Sequence, residues 1–110
     1  MANLKAGYLG GAELDGANEV ILYEVQAPAI AATFTVSFCN KGQAPAAVFL
    51  AHGTGATSAI PGARFWEHNA VVEPGTPLER TALVLNAGRK LFAWSTSPLV
   101  DVSVHGFEKG

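Results

Sequence analysis

Apolar residues recur along this chain at every second position in short runs, and most runs are closed by Gly, Pro, Asn or Asp. A period of two bounded by turn residues predicts β-strands, and almost no helical periodicity competes with it. The run Ile30–Cys39 alternates most plainly. Phe34, Val36 and Phe38 point one way and Thr33, Thr35 and Ser37 the other, which predicts a central strand with an aromatic core face. Around it the pattern predicts strands at Gly7–Leu9, Glu19–Gln26, Ala46–Ala51, Ala63–His68, Asn69–Glu73, Pro77–Leu85 and Lys90–Ser95. A last strand starts at Pro98, with Val100, Val102 and Val104 inward and Asp101, Ser103 and His105 outward. In Pro77–Leu85 the set Leu78, Arg80, Ala82, Val84 is expected on one face, and Glu79, Thr81, Leu83, Leu85 on the other. Breaks or turns are expected at Gly10–Gly11, Asp15-Gly16, Pro74-Gly75 and Asn86-Ala87-Gly88. Another is expected at Asn40-Lys41-Gly42, whose Asn and Gly tolerate positive φ.

About eight strands at a spacing of roughly 8–12 residues predict an all-β fold. The expected architecture is a single-domain antiparallel β-sandwich over residues 1–110, of jelly-roll or immunoglobulin-like type, a choice that periodicity leaves open. Residues 1–18 are expected to extend from it as a contact arm. The longest irregular stretch, His52–Gly62, is expected to reach outward.

Composition narrows the function classes. The chain has 110 residues, 49% hydrophobic and only 15% charged, with a net charge of −2. This is a folded profile, not a disordered one, and it lacks the basic footprint of a nucleic-acid binder. No run approaches the ~20 apolar residues of a membrane span, and no apolar run after a positive charge marks a secretory leader, so synthesis in the cytoplasm is expected. A charged fraction below the roughly 25% of ordinary soluble domains suggests surface that is covered in an assembly. The one cysteine, Cys39, forms no internal disulfide and is expected as a buried thiol within an apolar run.

Candidate chemistry is sparse. His52, His68 and His105 have no ligand-pair spacing, so no metal is expected. Asp101, Ser103 and His105 alternate along one strand, which makes a polar face and not a converging triad. Gly53–Ser58 is glycine-rich but lacks the Lys and the helix of a phosphate loop. Glu67 and Glu73 could be paired as carboxylates only as any two acids could. No enzymatic activity and no cofactor are expected. The aromatics carry more information. Phe65 and Trp66 should point to opposite faces, and Phe92 and Trp94 are expected to be split likewise, one member of each pair in the core and the other at an edge or interface. A sugar-stacking platform is the competing use of exposed rings.

Phe38-Cys39-Asn40-Lys41-Gly42 followed by Ala44–Val48 resembles a strand-turn of small structural proteins encoded by tailed bacteriophages. The closing half, from Pro74-Gly75 through Leu78-Glu79-Arg80-Thr81 and Leu85-Asn86-Ala87-Gly88 to Val102-Ser103-Val104-His105-Gly106-Phe107-Glu108, resembles them as well. The resemblance implies a virion protein on the capsid surface, either a decoration (cement) protein or a small tail component. Its implied partners are the major capsid protein and further copies of itself, as homodimer or homotrimer, with a host glycan as the alternative. Contacts are expected from the N-terminal segment, the His52–Gly62 loop and exposed aromatics: Leu4, Tyr8, Leu9, Thr54, Ile60, Trp66 and Trp94.

Overall fold

The computed structural model describes residues 4–59 and 62–110. Eight strands form among them: β1 (Ala6–Asp15), β2 (Val20–Glu24), β3 (Ala31–Asn40), β4 (Ala46–Gly53), β5 (Arg64–Val72), β6 (Leu78–Asn86), β7 (Lys90–Ser95) and β8 (Pro98–Lys109). They make two four-stranded antiparallel sheets, ordered β1-β8-β3-β6 and β2-β7-β4-β5. The pairings nest: β4 with β5, β3 with β6, β2 with β7, β1 with β8. A long double ribbon rolled so that successive pairs fall in alternate sheets has this order, which is the jelly roll. An immunoglobulin domain would set its first two strands in one sheet; here β1 and β2 lie in different sheets.

The core lies between the sheets and follows the alternation. Phe34, Val36 and Phe38 of β3 and Val100, Val102 and Val104 of β8 are buried against Val48 and Leu50 of β4 and Leu91 and Ala93 of β7. Phe34 is met edge-on by Tyr23 and Trp66, with ring centroids 6.2 and 6.0 Å away, a geometry that aromatic quadrupoles favour.

Several expectations are corrected. Residues 6–15 are not a free arm: they are edge strand β1, paired with β8 along its length. Gly10–Gly11 does not end a strand but lies within β1, next to a register shift. A Cβ on Gly10 would stand 2.1 Å from the Leu22 carbonyl oxygen, so glycine lets β1 lie against the backbone of β2. Leu9 is a core residue. The two short runs expected at 63–73 are one strand, β5, with Asn69 at φ 60° absorbing an irregularity. In β6 a register shift around Ala82, at φ 58°, changes the phase. Leu78 faces the core on one side of it and Leu83 and Leu85 on the other, which no strict alternation allows. Cys39 is exposed, because it continues the outward phase of Thr35 and Ser37.

The Asn40-Lys41-Gly42 turn forms for a different reason than the one expected, since neither Asn40 nor Gly42 has positive φ. Buried Asn40 is instead a hydrogen-bond hub. Its Nδ2 donates to the carbonyls of Ala44 (2.8 Å) and Val72 (3.0 Å), and its Oδ1 accepts from the Gly42 N–H (2.8 Å). One side chain thus closes the β3–β4 turn and ties it to the end of β5. Asn40→Ala strands these backbone groups and is expected to cost about 1–3 kcal/mol of unfolding free energy in urea melts. A loss near zero would show that water replaces the amide freely. At the same end of the sheet, in the turn after β1, the Asp15 carboxylate accepts from the Asn18 side chain and from the N–H groups of Asn18 and Ala17. These bonds hold its pKa down at about 2.

Candidate interaction surface

The outer faces of the two sheets differ in their central rows, although each carries exposed apolar residues: Tyr8, Val84 and Phe107 on β1-β8-β3-β6, and Ile21, Phe65 and Val71 on β2-β7-β4-β5. On β1-β8-β3-β6 the central rows are polar. Gly11, Ser103, Ser37 and Glu79 lie side by side across the four strands, and Glu13, Asp101 and Cys39 form the next row but one toward the turn end. Lys41 pairs there with Glu13 and with Asp101 at 3.1 Å. His105 stands edge-on to Tyr8, centroids 5.8 Å apart. Asp101, Ser103 and His105 therefore do lie along one outer face, each with a neighbour of its own.

The outer face of β2-β7-β4-β5 is apolar. Register aligns Ile21, Phe92, Ala51 and Phe65 in one row across all four strands. The next row centres on Trp94 and Phe49, stacked at 4.6 Å with their planes 6° apart. His68 caps Phe49 edge-on at 5.0 Å, and Phe65 stands edge-on to both His68 (5.0 Å) and Trp94 (5.8 Å). Ala47 opposite Val71 completes the face. Ile21, Phe65 and Val71 are each exposed, Val71 to 61%. An antiparallel sheet facing water carries polar residues on that side, so this side is built for something other than water.

The described part of the β4–β5 loop, residues 54–59, does not reach outward as expected. It folds back over one end of this face. Ser58 donates to Glu19 through its backbone N–H (3.1 Å) and its hydroxyl, and Lys90 Nζ donates to the Gly55 carbonyl (3.3 Å). Phe92 is completely buried although it points away from the core cluster. Phe92 and Trp94 thus share a face, as residues two apart in a strand must, and the expected split between them fails.

Ionisable groups near the interior have local partners. His52 faces inward, 4.5 Å from the Trp66 ring, and its Nδ1 accepts from Arg89 Nε at 3.0 Å. Burial, with the charges of Arg89 and Arg64 beside it, pushes the His52 pKa down. Buried Glu67 pairs with Arg80 of the other sheet, and that hydrogen bond raises the Arg80 pKa. Burial pushes the Tyr23 hydroxyl pKa up, and its hydrogen bond to Glu108 adds to the effect. Burial alone would raise Glu108, but the Tyr23 hydroxyl and the Lys5 N–H at 2.9 Å outweigh it and hold that carboxyl below its ordinary value.

The expected contact residues therefore scatter. Leu4, Tyr8 and Thr54 are exposed, but Tyr8 belongs to the polar sheet and Thr54 to the folded-back loop. Leu9 and Trp66 pack into or against the core, which removes them from a contact role. Ile60 lies outside the described residues. Trp94 alone sits within the apolar outer face. Sequence reading missed its neighbours Phe49, Phe65, His68, Ile21 and Val71. The available signal was that Ala46–Ala51 and Leu91–Trp94 are apolar in both phases, the pattern of strands covered on two sides.

No family model matches the chain, and no curated protein matches it in sequence. Among solved structures, a chain of the T13 IBDV viral particle, from a study of icosahedral virus evolution, is similar with a TM-score of 0.50 over 98% of this chain. The likeness is one of fold. Identity is 12%, and the match takes up 30% of the particle chain, so this chain spans under a third of that length. The jelly roll read from strand order is thus a fold also used in an icosahedral virus particle.

Proposed function

We propose that this chain is a non-enzymatic virion structural protein, a capsid decoration protein of a tailed bacteriophage that binds the outside of the major capsid shell and stabilises it. The observation that carries the reading is a jelly roll filling the whole chain, with the fold of a virus-particle chain and one sheet whose outer face is apolar. Such a protein acts by binding. Each copy contributes contact area in the assembled shell and none in the ruptured one, so occupancy favours the intact state. Many copies in fixed symmetric positions multiply the effect. Its partners in this reading are the major capsid protein and other copies of itself, and it is made in the host cytoplasm.

The sugar-platform reading fares worse on geometry. Phe49 and Trp94 stack on each other, and Phe65 stands edge-on to Trp94, so the rings face one another and do not form one flat shelf. Quantitative mass spectrometry of purified virions tests the proposal. Hundreds of copies per particle are expected on the capsid. A few to tens would place the chain in the tail, neck or fibre tip, and absence from the particle would refute a virion role altogether.

A further inference from the structure

We propose that the outer face of β2-β7-β4-β5 is a self-association surface, on which a second copy of this chain docks sheet against sheet about a two-fold axis. The inference deepens the virion reading, which already counts further copies among the partners, by naming their surface; it is tested on the isolated chain, so a monomer overturns it and leaves binding to the shell standing.

The chemistry of the face selects the occupant. Along β4 and β7, between Lys90 at one end and Thr96 at the other, the outward residues are Ala47, Phe49 and Trp94, with Ala51 and Phe92 already covered by the chain's own loop, and none of them is ionisable. A lipid surface is held by basic side chains around the inserted apolar ones, and here Lys90 is drawn aside to the Gly55 carbonyl. A helical peptide needs a groove, whereas the part of this face that the β4–β5 loop leaves uncovered is sheet, around Phe49, Trp94, His68 and Val71. A second sheet fits, because two sheets pack face to face about 10 Å apart with interdigitated side chains.

Size and shape agree. Four strands at ~4.8 Å spacing and about six residues at ~3.3 Å each give a face of about 400 Å² in outline, of which the loop covers the Phe92 end. Two such faces bury somewhat under ~1,000 Å², the range of a weak, transient interface, and Phe49, Phe65 and Trp94 supply the aromatic side chains that carry interface energy. Outward residues of β4 read Ala47, Phe49, Ala51, small-large-small. A two-fold axis across the strands, midway between Ala47 and Phe49, sets each Phe49 ring on the second copy's Ala47. It also sets each Trp94 over the second copy's Thr96, and Val71 over its His68. The same patch serves both copies, as a closed two-fold interface requires. The opposite sheet, with Glu13, Asp101 and Glu79 outward, would meet its own charges in such an arrangement.

Sedimentation velocity on the purified chain is the test. The wild type is expected to be a dimer at tens of micromolar. Val71→Arg and, separately, Ile21→Arg place a charge at positions 61% and 50% exposed, so both fold with unchanged circular dichroism melts. Each is expected to weaken the dimer by about 100-fold. Phe107→Arg, equally exposed on the other sheet, is expected to leave the dimer intact. Alkylation of exposed Cys39 on that other sheet is expected to run at the same rate in monomer and dimer. A wild type monomeric throughout the range would overturn the proposal, even if it binds a shell protein or vesicles. So would a dimer broken by Phe107→Arg alone, or one that protects Cys39.

Discussion

Phe34→Ala is expected to lower the free energy of unfolding by about 3–5 kcal/mol, a large share of the roughly 5–15 kcal/mol that holds a domain of this size. The ring is 2% exposed and comes from β3, an inner strand of its sheet. Its loss removes the buried carbons and leaves a cavity, since close-packed strands cannot collapse to fill it. It also takes away the shared edge-on partner of Tyr23 and Trp66, worth about 0.5–1.5 kcal/mol per ring pair beyond area. Urea unfolding of Phe34→Ala beside Phe49→Ala measures the contrast. Phe49 is a phenylalanine too, but it lies on the outer face of the second sheet, and its truncation in the monomer is expected to cost about 1 kcal/mol. Equal costs at the two positions would mean that the inner and outer faces have been assigned wrongly.

That contrast also marks how far the sequence could be read. In the middle of β3 and β8, Thr33–Phe38 and Val100–His105, one face is apolar and the other polar, and those directions could be assigned without coordinates; at the end of β3 the apolar character of Cys39 misled, since its phase points outward. Register is strongly set in such strands because a slip by one position would put Phe34, Val36 and Phe38 in water. In β6 the same reasoning failed at Ala82, since a residue at positive φ shifts the phase and nothing about an alanine announces it. The N-terminal segment misled for the opposite reason. Gly10–Gly11 reads as a break because glycine is permissive, whereas the fold uses its lack of a side chain to bring β1 against β2. Jelly roll and immunoglobulin domain share strand number and spacing, and only long-range pairing separates them. That information resides in no local window.

The interaction surface was partly legible. Trp94 was expected among the contact residues and lies on the outer face, though not by the expected split from Phe92, and its neighbours come from β4 and β5, strands distant in sequence. A two-phase apolar run such as Ala46–Ala51 states that both sides of a strand are covered. It does not state by what. Here the second cover is in part the chain's own loop, which buries Phe92, and in part open face. The low charged fraction, 15%, is unevenly placed: one outer sheet carries Glu13, Asp101, Glu79 and Lys41 in its rows, and on the other Glu24 and Lys90 pair at one end while Ala47, Phe49 and Trp94 carry no charge.

Gly106→Ala is expected to be among the most damaging single-carbon changes in the chain, costing about 3 kcal/mol, the upper end for over-packing. Gly106 continues the inward phase of Val100, Val102 and Val104 along β8, where pattern alone would call for another valine. It pairs with Gly7 on one side and with Phe34 on the other. A Cβ there would stand 2.1 Å from the Thr33 carbonyl oxygen, 2.6 Å from the Phe34 Cα and 2.8 Å from its Cβ. Two of those atoms are backbone, so no rotamer change relieves the clash; β3 and β8 must separate, and their ladder must lengthen where the core is anchored. Thermal unfolding should show the loss, and amide exchange across Thr33–Val36 should speed up before that of the second sheet. His105→Ala, one residue away and outward, is expected to stay within about 0.5 kcal/mol of wild type. If Gly106→Ala proved as mild, the close approach of β3 to β8 would be refuted, and with it the reason why Phe34 faces a glycine: this phenylalanine of β3's core face is seated where its neighbour strand supplies no side chain.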